Sequence, residues 1–399
     1  MNTYYFKHEI LRMFKQRKNF LVVAFVMLIM LLYIVFIMPT QQSIYTFDDE
    51  QASEELKDLE YMLKGMEERE GTGFSPMAGI PVYAVNEGRY ETERSLIYAY
   101  QDNTPNRFLR LSLMNLQSIR NKVRPLKEDS PYPVKDIEHE VTKTSMMYES
   151  FLKDGLPVSN TMIEQKTALQ SMYHFLLSTG VFLLLFLIIY FSCDILVKDR
   201  QNKTILQGLP ISWYRIINVK SLVAISYTLF AILIIAAVGL LVIGIQNGFG
   251  SFSFKIPTIF GEYDPQRENY DMMKMGKFFL LCLVFLVLLC ILFTRLNMIF
   301  SLIFKNTWVV LMISAFILFA EQIYLSRTSR ELFDIDIGYF PQTYFNFSNV
   351  ITGERMFLLN TDSITYGKGL IIIGISIFVV EIVLFVFSKM IGKRRFYKV

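Results

Sequence analysis

Only three cysteines and three histidines are spread over 399 residues, and their placement removes whole classes of chemistry. Cys193, Cys282 and Cys290 all fall inside apolar blocks, with no CxxC spacing and no cysteine in a polar stretch. That pattern argues against a disulfide framework or a thiolate zinc site and leaves small apolar fillers. His8, His139 and His174 lie far apart, no HExxH occurs, and His139 between Glu138 and Glu140 reads as an exposed charged turn of helix, so no metal ligand is assigned. No GxxxxGK[ST] phosphate loop is present, which excludes ATP or GTP hydrolysis by that route, and no GxSxG elbow presents a nucleophile. No catalytic residue is assigned, and the chain is expected not to be an enzyme. Nucleic acid is not an expected partner, because the long polar stretch is acidic and the basic clusters have another explanation.

What the chain has instead is apolar residues, 53% of the total with 35 Phe and 20 Met, gathered in long blocks nearly free of charge. Only a bilayer makes such blocks inexpensive to hold, and about 20 residues at a 1.5 Å rise cross its core of about 30 Å. The expected fold is an all-α polytopic membrane protein: six transmembrane helices, with a helical extracellular domain between the first and second. The spans are read at 20–38, 173–195, 222–245, 278–304, 308–324 and 369–387. The first follows an amphipathic arm, 1–19, whose Phe6, Ile10, Met13 and Phe14 share a helical face. A signal peptide is the competing reading of that start, but the apolar run is longer than an h-region and ends Met38-Pro39-Thr40-Gln41, so an uncleaved anchor is expected.

Residues 39–172 form the polar domain. Ala52, Leu56, Leu59, Leu63 and Met66 make one helical stripe, and Phe108, Leu111, Leu116, Ile119 and Val123 make another. Turn-rich 71–81 and Pro131-Tyr132-Pro133 interrupt the helices. The outer loop 246–277, with its Gly, Pro and mixed charges, reads as irregular, and 325–368 is a second outer segment, rich in aromatics around 339–347. The short segments 1–19, 196–221, 305–307 and 388–399 are dominated by Lys and Arg, which places them and both termini in the cytoplasm of a cell with this protein in its plasma membrane.

Charges inside apolar runs are costly and mark structure or function. Arg295 in the fourth run and Glu381 in the sixth lie at similar helical distances from their basic flanks, which pairs them. Glu321 and Asp194 stand near span ends, where they are expected to reach toward water. Glu321, with Tyr339, Phe340, Pro341 and Tyr344 of the aromatic outer segment, is a candidate pathway or gate element. Small residues in the third span, Ala231 through Gly244, suit close helix approach.

The basic segment 198–220 carries the sharpest motif. Asp199, Thr204-Ile205-Leu206, Leu209-Pro210-Ile211-Ser212, Arg215 and Lys220 follow one another between two spans. In this order and setting the chain resembles the membrane subunit of a bacterial ATP-binding-cassette exporter of the type-2 permease class. It departs from that pattern at Asn202-Lys203, where a glycine is usual, and at Trp213-Tyr214, where a basic residue is usual. The resemblance implies a coupling helix seated on a separate ATPase subunit, formed here by Thr204, Leu206, Leu209, Pro210, Ser212, Trp213, Tyr214, Arg215 and Lys220. Ser212 is placed to cap a helix starting at Trp213, Pro210 stiffens the approach, and Trp213, Tyr214, Ile216 and Ile217 offer a bulky surface to a partner. The resemblance further implies a second permease subunit, identical or different, with ATP and Mg bound only by the partner ATPase and no cofactor in this chain. The cargo would be a hydrophobic or amphipathic compound such as a peptide, an antimicrobial or a lipid-like molecule, in a cavity between subunits lined by the second and fifth spans. Two rivals remain: an ATPase-driven mechanical transmitter or sensor without cargo, which six spans disfavour, and an ion exporter using Arg295 and Glu381.

Overall fold

The computed structural model describes residues 2–38, 47–68, 73–75, 79–123, 132–155, 157–200, 211–261, 269–324, 326–327, 330–393 and 396, with side chains except at 2–3, 75, 118–123, 132–133 and 324. Helices dominate. Among the described residues five segments are long and apolar enough to cross a membrane: Arg17–Ile37, Gly180–Arg200, Trp213–Asn247, Met275–Ile303 and Tyr366–Met390. The chain is a multi-pass membrane protein.

Their burial differs by role. The segment Gly180–Arg200 is apolar on every side and is the centre of the bundle, with 78% of its span buried. A helix hydrophobic all round needs such a position. Leu185, Ile188, Ile189 and Phe191 are fully enclosed among the third, fourth and fifth helices. Arg17–Ile37, by contrast, is only 6% buried and turns Phe20, Phe25, Leu28 and Leu32 outward. Polar side chains inside the bundle are satisfied by one another. Asn297 donates to Ser192 Oγ at 2.6 Å and to the Ile189 carbonyl at 3.1 Å, and accepts from Ser314, joining three helices at one buried point. In hydrocarbon such bonds replace the water the groups would otherwise need.

Two expected spans are broken. The reading of 173–195 as one helix is corrected to Ala168–Leu177 followed by Gly180–Ser192, with Ser178 extended between them. Gly180 permits the corner, because a Cβ there would lie 2.3 Å from the Phe175 carbonyl oxygen. The expected span 308–324 is a 13-residue helix, Thr307–Phe319, and a separate turn, Glu321–Tyr324. Thirteen residues rise only about 20 Å, short of the hydrocarbon thickness. Asn306 caps that helix by accepting from the Trp308 amide at 2.9 Å.

Among the described residues the polar region has four long helices, Asp49–Glu68, Val82–Gln101, Pro105–Val123 and Tyr132–Asp154, each packed on the next. Leu59 and Leu63 of the first predicted stripe and Phe108 of the second are buried; the side chains of Ile119 and Val123 lie outside the described residues. Its core is continuous with that of the bundle, with Phe151 meeting Phe254 edge-on at 5.6 Å. The expectation of an irregular segment 246–277 is also corrected. Lys255–Ile259 pairs antiparallel with Tyr270–Lys274, and Ile256 and Ile259 face inward. Two further two-stranded pairs, Phe74–Ser75 with Ile80–Pro81 and Glu331–Leu332 with Ile335–Asp336, are the other strands among the described residues.

This hairpin, the helix Tyr132–Asp154 and the turn Glu354–Leu359 meet around His139. The exposed setting expected for His139 is overturned, since it is 3% exposed and stacks on Phe357 with ring centroids 3.9 Å apart. Its Nε2 lies 3.0 Å from Glu354 and its Nδ1 2.6 Å from the Tyr270 hydroxyl. Lys143 meets the other Glu354 oxygen at 2.7 Å. Among the described residues no three His, Cys, Asp or Glu side chains come together as metal ligands. The turn is fixed by Gly353, at φ +81°, where a Cβ would lie 1.8 Å from the Ile259 carbonyl oxygen. Gly353→Ala is therefore expected to cost at least about 2 kcal/mol, read as a lowered Tm of the purified protein, with Ile259→Ala giving no relief because the obstacle is backbone.

Burial pushes the Glu354 carboxyl up, but the His139 hydrogen bond and the Lys143 ammonium outweigh it and hold the group down at about 2. A group held below its unfolded value stabilises the fold fully above about pH 4.5. The contribution, on the order of 3 kcal/mol, fades as pH falls from there and is lost below about 2. Melting profiles of wild type and Glu354→Gln should converge over that window; a constant difference between them would overturn this account.

Candidate functional site

One end of the bundle gathers the basic segments. The helix Asn2–Lys15 is amphipathic and buries Met13, with Ile10 and Phe6 partly buried beside it against the third span. It ends at Gln16, whose backbone is extended, and the first span starts at Arg17. Across this junction lie the two ends of the segment 198–220.

Lys220 ties them together. Its side chain is 1% exposed and lies 2.9 Å from Glu9 and 2.8 Å from Asp199, so one ammonium bridges the N-terminal helix, the end of the second span and the start of the third. Arg12 reaches Asp199 at 3.4 Å. Beside this cluster, Asp194 takes Lys18 at 2.9 Å and Lys198 at 2.6 Å, and Lys198 also donates to Gln16 at 3.0 Å. Asp194 is 2% exposed, which overturns the expectation that it reaches toward water. Buried charge is tolerated only when paired and hydrogen-bonded, and here every carboxylate has a cation from a distant part of the chain.

The residues between these ends divide sharply. Thr204, Leu206, Leu209 and Pro210 lie outside the described residues. Ser212 stands at the N-cap of Trp213–Asn247 with extended backbone but makes no side-chain capping bond, unlike the expectation. Trp213, Ile216 and Ile217, expected to offer surface to a partner, are buried inside the chain. Trp213 packs on Phe396 at 4.8 Å, and the same ring receives the Arg200 guanidinium at 4.3 Å. Arg200 further donates to the Ser301 and Leu302 carbonyls at 3.2 and 2.8 Å, closing the C-terminal end of the fourth span. Lys220, placed by sequence among docking residues, is enclosed as described. Ser212 and Arg215 remain exposed, with Tyr214 half-buried between them.

Arg295 and Glu381 meet, with Arg295 Nε 3.2 Å from Glu381 Oε2. The pair belongs to a larger group: Arg295 donates to Asn218 Oδ1 at 2.6 Å and to Ser221 at 3.3 Å, while Glu381 accepts from the Tyr214 hydroxyl. Three spans are joined there, one turn from the exposed Arg215.

At the far end, the residues named as a gate are mostly core. Glu321 is fully buried and paired with Arg355, so the expectation that it reaches water is corrected. Tyr344 is fully buried and donates to the Gly338 carbonyl at 2.8 Å. Phe340 and Pro341 are half-buried. Tyr339 alone of this group is well exposed, with Lys368 over its ring at 4.1 Å.

Sequence reasoning missed Glu9, Arg355 and Asn297. Glu9 is a lone acid in a basic arm, the one usable signal; Arg355 sits in a stretch with no periodic pattern, and Asn297 is uncharged.

A family model described as "ABC-2 family transporter protein" matches residues 5–397. No curated protein and no solved structure matches.

Lys220→Met should leave two enclosed carboxylates with only the partly exposed Arg12, 3.4 Å from Asp199 and 3.8 Å from Glu9, costing about 3 kcal/mol. The expected readouts are a lower Tm in detergent and protease access to 2–15. Replacing Glu9 and Asp199 by Gln and Asn as well should restore most of the loss; full stability of Lys220→Met alone would contradict the bridge.

Proposed function

The chain belongs to the ABC-2 family of transporter proteins, and from that premise we propose that it is the permease of an ATP-driven exporter, acting with a second permease subunit and two separate ATPase chains. The family makes it a transport component of the membrane and not itself a catalyst. ATP and Mg are bound by the ATPases, and the cargo is a hydrophobic or amphipathic compound moved outward.

The observation that carries this reading is the way the segment 198–220 is mounted. Its two ends are locked by Lys220 to the N-terminal helix and by Arg200 to the fourth span, while Ser212 and Arg215 face out. From that exposed step, Tyr214 contacts the last span through Glu381, and Lys220 on the same helix contacts the N-terminal helix and Asp199. Two of its contacts, Tyr214 with Glu381 and Glu381 with Arg295, run on into the spans.

Connectivity supports six crossings. The N-terminal helix, the start of the third span and Phe396 are in contact at one end, and the fourth span also finishes there. A chain whose described ends share one side crosses an even number of times, which favours a sixth crossing at 307–324 beside the five long spans among the described residues. Cations dominate the shared end, which supports a cytoplasmic side for it and for both termini, with the four-helix region outside.

The test uses vesicles containing the permease and the ATPase that co-purifies with it. Arg215→Glu is expected to weaken ATPase binding and uptake on the order of tenfold while leaving the Tm unchanged, since the side chain is exposed. Retained binding and uptake would remove the docking assignment. Cargo-stimulated hydrolysis with uptake supports export, whereas stimulation without uptake favours the mechanical transmitter.

A further inference from the structure

Between the four-helix region and the spans lies a chamber of about 870 Å³, within the size range of sites that hold one small molecule. Most of its wall is apolar. The third span contributes Ile232, Ile235, Ala236, Gly239, Leu240 and Ile243, whose steps of three and four residues put them on one helical face. Over that stretch the helix rises about 16 Å, and the short side chain of Ala236 leaves the face shallow near its middle. Met30 of the first span fills the place beside Gly239, where a Cβ would lie 2.9 Å from its sulfur. Leu187 of the second span stands in the same wall.

The charged part of the lining comes from the helix Tyr132–Asp154, the turn before Ala168–Leu177 and the hairpin strand Lys255–Ile259. Each charge is answered by the protein itself. Lys143 lies 2.9 Å from Glu140 and 2.7 Å from Glu354, Lys166 lies 2.7 Å from Glu164, and Lys255 lies 2.7 Å from Asp154. No lysine of the lining is in excess, and no carboxylate of the lining stands alone. The amides are used in the same way, since Gln170 donates to the Met162 carbonyl at 2.9 Å and Gln165 pairs with His174. An occupant bearing a net charge would give up its hydration and find no counter-charge, a large cost in so apolar a space. A neutral hydroxyl or carbonyl avoids that cost. The Lys166 ammonium has three donors, which one carboxylate contact does not exhaust.

We infer that this chamber, formed within a single subunit, binds an uncharged, predominantly apolar molecule, its body along Leu187 and Ile235 and any neutral oxygen at the lysine end. The closed ion pairs act as the selectivity element, because they leave nothing for a charged group to meet. The site stands on the geometry of its wall. Only the fate of the ligand rests on the export reading, under which it is cargo, and the class of cargo narrows to uncharged compounds.

The experiment uses the purified full chain in maltoside micelles with three photoreactive probes: a long-chain alcohol, the matching alkyl sulfonate and the matching alkyl trimethylammonium. Each carries the same diazirine on the same chain, and labelled residues are mapped by mass spectrometry. Ile375 and Phe378, on the exposed face of the final span, report how much of each probe the micelle presents. Relative to them, the alcohol is expected to label Met30, Leu187 and Ile235 at least about tenfold more than either charged probe. Ala236→Trp, which fills the chamber, should bring alcohol labelling down to that of the charged probes while the Tm is unchanged, and Ala236→Leu is the smaller change to use if Trp lowers the Tm. Equal labelling by the three probes, or a preference for either charged one, overturns the inference on the wild-type chain alone. Alcohol labelling that persists in the folded Ala236 variant does the same. No ATPase is present in this assay. A chamber that labels as expected while vesicle uptake fails keeps the site and removes export; the reverse result removes the site alone.

Discussion

An ammonium held between two carboxylates, away from water, is the constraint on which this architecture turns. Lys220 is nearly inaccessible, and so are Glu9 and Asp199. Any arrangement that separated the N-terminal helix from the third span would leave like or lone charges in a medium that solvates them poorly. The cluster therefore does more than add stability, since it excludes alternatives. It fixes the helix Asn2–Lys15 against the third span and, through Gln16, sets where the first span enters the bundle. Arg200 and Phe396 close the neighbouring gap, so that the two terminal segments, the end of the second span and the start of the third form one base.

The opposite end is built on the same logic with different partners. Glu321 with Arg355, and Glu354 with His139 and Lys143, bind the short helices after the fifth span to the bundle and to the four-helix region. Between the two ionic layers the interior is held by neutral bonds such as those of Asn297. The Arg295–Glu381 pair is the charge that also lies within the spans described, where it joins three of them. Buried residues of the four-helix region, Leu96, Phe108 and Phe151 among them, belong to one cluster with the bundle.

Much of this was legible from sequence, and the failures have physical causes. Long apolar blocks mark spans without any need for periodicity, and Arg295 and Glu381 stood out because each interrupts such a block. The same strength hid the corner at Ser178, since an apolar run gives no sign of where a helix turns. The hairpin Lys255–Ile259 was unread because Pro257 argues against a strand. The candidate coupling surface was only partly legible. Charge explained by membrane sidedness concealed that Lys220 is structural, and the bulk of Trp213, Ile216 and Ile217 was assigned to a partner when the chain itself uses it. Burial against residues some 180 positions away, as for Trp213 and Phe396, leaves no local pattern.

The separation between Glu9 and Lys220, 211 residues, also has a consequence for biosynthesis. At about 5–20 residues per second, roughly 10–40 s pass after Glu9 is made before its cation exists. During that interval the first span is already inserted, yet its anchor helix has only the membrane surface to rest on. The amphipathic face of Asn2–Lys15 thus serves two successive hosts, lipid headgroups while the chain is incomplete and the third span once it arrives. Assembly of the base is a late event, and a ribosome that stalls before the third span leaves a membrane protein whose ends have not yet met.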